Sequence, residues 1–430
     1  MKKKTWIASA LAGVLAAGLL CGCTAAQNIV FDDSDSAAGP QTALTFFGYK
    51  YEPLNVFAIE DALHGYMDAY PGVNISYDSI KGSQYFDVLE KRLATGNGDD
   101  IFMVDHERLL ALEAQGKLAD LSGLSTLGNF SELAKSQMSA TGIIDYVPTS
   151  ISAFGLYCNL DLLAQHQQKV PENWAEFAAV CDAFAAAGIT PIVANNDISL
   201  KTVAIAKALL PLYQQDDPAQ AIARFNDGRD DLAQALRPGF ELVEEMLRRG
   251  WVDREEALVT AKTTDDLELF AQGEQPFLLT GAWAVSRLRD LAPAFSFEVR
   301  PYPILDEGSV LVINVDTRVS VNADSPHLAE AKQFVEYLTQ PDVLWEFVES
   351  QSSFSPLAEN RLPADVAIQS LGPYLTNGFS VLGSDDNFAF PIWDFTRQCV
   401  VGMLEGDSAQ AAVSRMREQM DAWQATETGR

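Results

Sequence analysis

Four short segments of this 430-residue chain together supply aromatic rings, carboxylates, carboxamides, a histidine and a lysine. They are Tyr49-Lys50-Tyr51-Glu52, Asp105-His106-Glu107, Asn195-Asn196-Asp197 and Gly281-Ala282-Trp283, and each follows a short apolar run that reads as a β-strand. That mixture suits a sugar: a pyranose offers apolar C–H faces to an aromatic plate and a rim of hydroxyls that both donate and accept hydrogen bonds. Trp283 is the first candidate, because Gly281 and Ala282 leave the backbone around it uncluttered. Asp105 and Glu107 are candidates as charged acceptors, although acidic residues also favour the first turn of a helix without any ligand. Tyr49 and Glu52 follow the first strand. Asn196 and Asp197 could contact a ligand or serve a turn. Phe354, in "SQSSFSPL", and Trp393, in "FAFPIWDF", are candidates for a further stacking wall, while Trp174 reads as core.

Other chemistries find little support. The chain has no zinc-protease pair of histidines, no Gly-x-Ser-x-Gly elbow and no phosphate-binding glycine loop. His64, His106, His166 and His327 lack metal-ligand spacing, so no metal and no cofactor are expected. Cys158, Cys181 and Cys399 read as buried thiols rather than a disulfide framework. Two alternatives stay open. A carboxylate pair acting on a sugar would make a hydrolase, and several carboxylates facing one another would suit a polyamine or another cationic solute.

The elements that position these segments alternate. Ala43–Gly48, Val73–Asp78 and Ile101–Val104 read as strands, with helices over Asn55–Tyr70 and Tyr85–Thr95 between them. A second series runs from a strand at Ala153–Tyr157 through a helix at Trp174–Ala187 to a strand at Pro191–Ala194. Later come a helix at Thr263–Gln272 closed by Gly273, a strand at Phe277–Leu279, and consecutive helices at Pro326–Thr339 and Pro341–Ser350. Alternation of this kind implies an α/β fold with helices on both faces of a mainly parallel sheet, where ligands gather beyond the carboxyl ends of the strands. About 390 residues follow the N-terminal region, enough for two domains.

The first 41 residues have a different character. Lys2, Lys3 and Lys4 precede an apolar run over Thr5–Leu20, the layout of a secretory signal and too short for a comfortable bilayer span. Leu20-Cys21-Gly22-Cys23 resembles the bacterial lipobox, which makes Cys23 the lipidated first residue of the mature protein and 1–22 its signal peptide. Residues 24–41 are small, acidic and without an apolar face, and read as a disordered tether of 18 residues with a reach of roughly 25 Å. After removal of 1–22 the chain has 27 basic against 59 acidic residues, a net charge of −32. Such a charge repels nucleic-acid phosphates and an anionic membrane face, so nucleic acid is not expected as a partner.

Longer passages carry a family resemblance. "AYPGVNISYD", "LATGNGDDIFMVDHERLLALEAQGKLADLSGL", "GLYCNLDLL" with "VPENWAEFAAVCDAFAAAGITPIVA", and "LFAQGEQPFLLTGAWAV" are similar, in the right order, to the landmarks of family 1 extracellular solute-binding proteins of carbohydrate ABC importers, which include maltose-binding protein. Asp99, Asn173 and Gln275-Pro276-Phe277 depart from the family pattern at structural positions. The resemblance implies a two-lobed, periplasmic-binding-protein-like fold of type II, with mixed sheets flanked by helices and a hinged cleft. It implies chain crossings near Pro148–Ala153 and Val299–Tyr302, with a helical return near Thr339–Pro341. One lobe would then hold 42–150 and 302–340, the other 151–301 and 341–430. In the family, the residue matching Trp283 commonly stacks on sugar. The expected protein is a monomeric binding protein, not an enzyme, held by lipidated Cys23 on the outer face of the bacterial cytoplasmic membrane, passing sugar to importer transmembrane subunits.

Overall fold

The computed structural model describes residues 42–81, 84–138, 142–359 and 361–427. The signal, lipidation and tether expectations, Cys23 included, therefore lie outside the described residues. Nine strands form one continuous sheet: β1 (Thr42–Gly48), β2 (Val73–Ser79), β3 (Ile101–Val104), β4 (Val147–Asn159), β5 (Ile192–Val193), β6 (Phe277–Gly281), β7 (Phe297–Arg300), β8 (Leu311–Val321) and β9 (Ser380–Leu382). Their order is β2-β1-β3-β8-β4-β6-β5, with β7 paired to β4 and β9 to β8. β1, β2 and β3 are mutually parallel, as the alternation of strands and helices implies, whereas β4 and β8 run antiparallel to each other.

β4 and β8 are the long members, and they hold the molecule together. At one end β8 pairs with β3; toward the other, β4 pairs with β6 and β7 while β8 pairs with β9. The apolar side chains divide accordingly. One cluster runs from Leu44 to Val147 and resumes at Val319 through Leu357. The remaining buried residues, including Ile151 to Val315 and Val381 to Met416, form two clusters on the other side. The architecture is two-lobed, and the chain passes between lobes in the middle of β4 and again in the middle of β8.

The first expected crossing, Pro148–Ala153, lies within β4. Val299–Tyr302 stays within the second body, because Tyr302 pairs back onto Val310 and Val299 pairs with Tyr157 of β4. β8 then runs from Val315, packed in the second body, to Val319, packed in the first. Likewise the helix Pro341–Ser350 packs Leu344, Phe347 and Val348 into the first body, so the final return comes after it rather than at Thr339–Pro341.

The waist itself is polar. Thr149 Oγ1 donates to the Thr317 carbonyl at 3.0 Å, Ser150 Oγ donates to Thr317 Oγ1 at 3.2 Å, and Ser152 Oγ donates to Asp316 at 2.9 Å. Thr317 sits at φ 48°, a left-handed conformation that costs a β-branched residue on the order of 1–3 kcal/mol.

Candidate functional site

Between the bodies lies a cleft with two connected chambers of about 700 and 810 Å³. Tyr49, Asp197, Lys262, Trp283 and Asp316 line both. An aromatic wall closes one side of the first chamber. Trp283 stands on the single turn Ala282–Ala284 directly after β6 and meets Phe154 of β4 edge-on, centroids 5.1 Å apart. Phe154 in turn contacts Trp393 at 5.1 Å, the second residue of the helix Ile392–Glu405. A Cβ on Gly281 would lie 2.3 Å from the Trp283 indole, so the glycine is required for the ring to fold back over the strand end.

Polar groups form the facing rim. Asp105 caps the helix His106–Ala114, accepting from the Arg108 amide at 2.8 Å, and also lines the first chamber. Its cap and its cavity position coexist, and burial pushes its carboxyl above the usual range. Glu107 accepts from the Arg108 guanidinium at 2.6 Å. Its pKa is nevertheless raised to about 7: burial contributes most, Arg108 opposes it, and the carboxyls of Asp394 and Asp105 add to it. Tyr49 lines both chambers and packs edge-on against Tyr85 at 5.5 Å.

Glu52 lines the second chamber, accepting from Asn55 at 2.9 Å and pairing with Arg287 across the cleft. Asn196 lines that chamber too, while its amide donates to the Leu258 carbonyl at 3.0 Å. Burial works against ionisation of Asp197, yet Lys201 and Lys262 overcome it and hold the carboxyl far below its usual range. Lys201 Nζ, 2.8 Å from Asp197, also sits 3.8 Å from the centre of the Trp393 ring. That ring is therefore backed by a fixed cation.

One candidate is misplaced. Phe354 is buried in the second body, exchanging two backbone hydrogen bonds with Ile151, and takes no part in the cleft. Its neighbours Ser350, Gln351 and Ser353, at the end of the helix Pro341–Ser350 and in the turn that follows, line the second chamber instead. Sequence reasoning also overlooked Phe154, Lys262, Asn314, Asp316, Arg318 and Asp394, all at the first chamber. A signal for three of them exists: in "VINVDTRVSV" the residues Asn314, Asp316 and Arg318 recur every second position within an apolar run, which puts them on one face of a strand.

Behind the wall sits a buried polar knot. Asp386 accepts from His106 Nδ1 at 2.6 Å, from Arg318 at 2.7 and 3.0 Å, and from the Tyr146 hydroxyl. Its neighbour Asp385 accepts from Gln137 at 3.0 Å and Tyr213 at 2.8 Å. Gln137 and Tyr146 belong to the first body and Tyr213 to the second, so these two aspartates link the bodies.

Comparison with known proteins agrees with this geometry. A curated multiple sugar-binding protein of Streptococcus mutans is 20% identical over 275 residues, 62% of this chain and 64% of that relative, so the match spans less than two thirds of its length. Among solved structures, the apo form of RafE from Streptococcus pneumoniae superposes with a TM-score of 0.69 at 18% identity, covering 90% of this chain and 99% of that one. A sugar transporter protein of Bacillus licheniformis, solved with stachyose, gives 0.66 at 20% identity over 88% and 98% of the two chains. These structures share the fold. The family model for bacterial extracellular solute-binding proteins matches residues 50–344, more than half of the sequence, and the chain accordingly belongs to that family of binding proteins, which are not enzymes.

Proposed function

We propose that this protein captures a sugar or oligosaccharide between its lobes and delivers it to the transmembrane subunits of an ABC importer. The observation that carries the reading is the wall of Trp283, Phe154 and Trp393 facing a rim of carboxylates and hydrogen-bonding groups within one interlobe cavity. Ring faces of a pyranose would stack on Trp283 and Trp393. Asp105, Glu107 and Asp316 would accept from hydroxyls, and Tyr49, Glu52 and Asn196 would border the same ligand in the second chamber. Asp197 would act mainly by orienting Lys262, since its own charge is held by two lysines.

The charge pattern favours a neutral ligand over a polyamine. Asp105, Glu107, Asp197, Asp316 and Asp394 in the first chamber are set against Arg108, Lys262, Arg318 and Arg397, which leaves little net field for a multiply charged cation. A membrane tether through lipidated Cys23 and function as a single copy complete the proposal, with the lobes taken as 42–147 plus 319–357, Phe354 excepted because its ring packs into the other body, and the remainder of the folded chain. Binding would favour closure because the open form offers only half of the contacts on each lobe.

Thermal unfolding in the presence of a carbohydrate panel tests this. A sugar that binds only the folded form raises the melting temperature, by about 2.7 kcal/mol of stabilisation at a hundred times its dissociation constant. Trp283→Ala should remove that shift while the unliganded protein stays folded. A panel including raffinose, stachyose and their component sugars that shifts nothing, with a polyamine shifting it instead, would overturn the proposal.

A further inference from the structure

Asp197 and Lys262 line both chambers and form an ion pair with each other. They come from two separate segments of the second lobe: Asp197 from the turn after β5, Lys262 from the turn before the helix Asp265–Ala271. Neither turn lies in a strand or helix where it meets the cavity. No regular ladder holds them in place, so their position must be fixed by side chains.

Those side chains lie one layer behind the cavity. Asn195, Ser199 and Asp266 are all buried, and none of them lines either chamber. Asn195 Nδ2 donates to the Asp266 carboxylate at 2.9 Å, while its Oδ1 accepts from the amides of Asp197 at 3.1 Å and Ile198 at 2.8 Å. The Asn195 amide donates to Ser199 Oγ at 2.9 Å, and that hydroxyl donates to the Leu279 carbonyl of β6 at 2.6 Å. The turn carrying Asp197 is thereby tied both to the strand that ends at Trp283 and to the helix that follows Lys262. A backbone bond from the Asn196 amide to the Thr260 carbonyl at 3.2 Å laces the two segments once more.

We propose that Asp266 is a positioning residue of the cleft: it orients the Asn195 carboxamide, which sets the turn carrying Asp197 and so places the Asp197–Lys262 pair that both chambers share. The orientation follows from the chemistry of the two groups. A carboxylate only accepts hydrogen bonds, so the carboxamide facing it must present its NH2 and turn its oxygen toward the amides of the turn. Burial raises the pKa of Asp266 to about 6, which leaves it ionised at neutral pH. With this link intact, both turns meet a solute already in place. Without it each must be ordered on binding, which lowers affinity. The consequence for sugar binding rests on the proposed function; the placement of the turns does not.

Hydrogen–deuterium exchange of the full chain, read by mass spectrometry without ligand, tests the placement. Asn195→Asp sets two carboxylates against each other, and Asp266→Ala leaves the Asn195 NH2 unpartnered. Each should speed exchange about tenfold in both 195–199 and 260–266, while the helices Trp174–Ala186 and Arg237–Arg248 of the same lobe keep the parent's rate. Combining Asn195→Asp with Asp266→Asn restores one donor and one acceptor in reverse, and should return both segments to the parent's rate. A role in general stability would speed the helices as well and would not be rescued by the swap. Unchanged exchange at 260–266 in the single variants, or a swapped pair that stays as fast as Asn195→Asp alone, would overturn the proposal. Calorimetric titration with raffinose adds the functional readout: Asp266→Ala should bind it about tenfold more weakly than the parent, and equal affinity would count against a positioning role. A parent that does not bind raffinose bears on the choice of ligand, and exchange then decides the role of Asp266. Should Asp266→Ala fail to fold, Asn195→Asp and the swapped pair carry the test.

Discussion

Asp386 is a fully buried acid and Glu107 a partly buried one, and their acidities are driven in opposite directions. Asp386 is buried completely, yet its pKa is lowered to about 2, because two Arg318 nitrogens and His106 more than offset the cost of burial. Glu107 keeps one divided arginine and two neighbouring carboxyls, and its pKa rises to about 7. Depth is therefore a poor guide to the charge of an acid in this protein. What decides is whether the nearest cation belongs to it alone. Asp386 is thus held ionised by cations of its own, whereas Glu107 shares its one arginine with Asp105 and Glu90.

Removing the Asp386 carboxylate should produce the largest change. Asp386→Ala would leave Arg318 buried without its partner and deprive His106 and Tyr146 of theirs, a loss of about 3–5 kcal/mol in urea unfolding. The corresponding pH dependence has a definite sign: a lowered carboxyl contributes stability above its unfolded pKa, near 4, that is lost as pH falls toward about 2. A parent as resistant to acid as the variant would break the comparison.

A third acid sharpens it. Asp145 is buried with neither carboxyl oxygen hydrogen-bonded among the described residues, and burial raises its pKa to about 7, with Glu113 adding to the effect. Here folding is favoured at low pH, and stability is lost as pH rises from the unfolded value through about 7. Asp145→Asn should therefore unfold at higher urea than the parent at pH 8, by about 1–3 kcal/mol, and show little difference at pH 4. Equal stabilisation at both pH values would mean that ionisation is not the cause. The smallest effect is expected at the Glu52–Arg287 pair. Glu52→Ala breaks a partly exposed ion pair and should cost under about 1 kcal/mol of unfolding free energy, decreasing further in 0.5 M salt.

Much of the first lobe was legible in the chain. The runs at Ala43–Gly48, Val73–Asp78 and Ile101–Val104 became β1, β2 and β3 within one residue, and the helix at Pro341–Ser350 matches at both ends. These elements have a local cause: apolar periodicity bounded by Pro-Gly or a terminal glycine. Gly281 and Trp283 were legible as well, since a residue without a side chain leaves a large ring room to lie across the strand end. Phe354 was not, because an aromatic in a polar loop looks the same in sequence whether the loop turns it inward or outward. β8 escaped notice despite its alternating pattern, and with it Asn314, Asp316 and Arg318; the expectation of a crossing at Val299–Tyr302 took its place.

What the amino-acid order determined by itself is the inventory: which segments form strands and helices, which strand ends carry aromatics and acids, and which family the chain joins. These follow from interactions between residues a few positions apart. Only the tertiary structure decided which of those ends meet, where the chain changes lobes, and which cation serves which carboxylate. Arg318 and Asp386 are 68 positions apart and Glu107 and Asp394 far more. Charges act through space, so their balance comes into being only when the strands have been brought together.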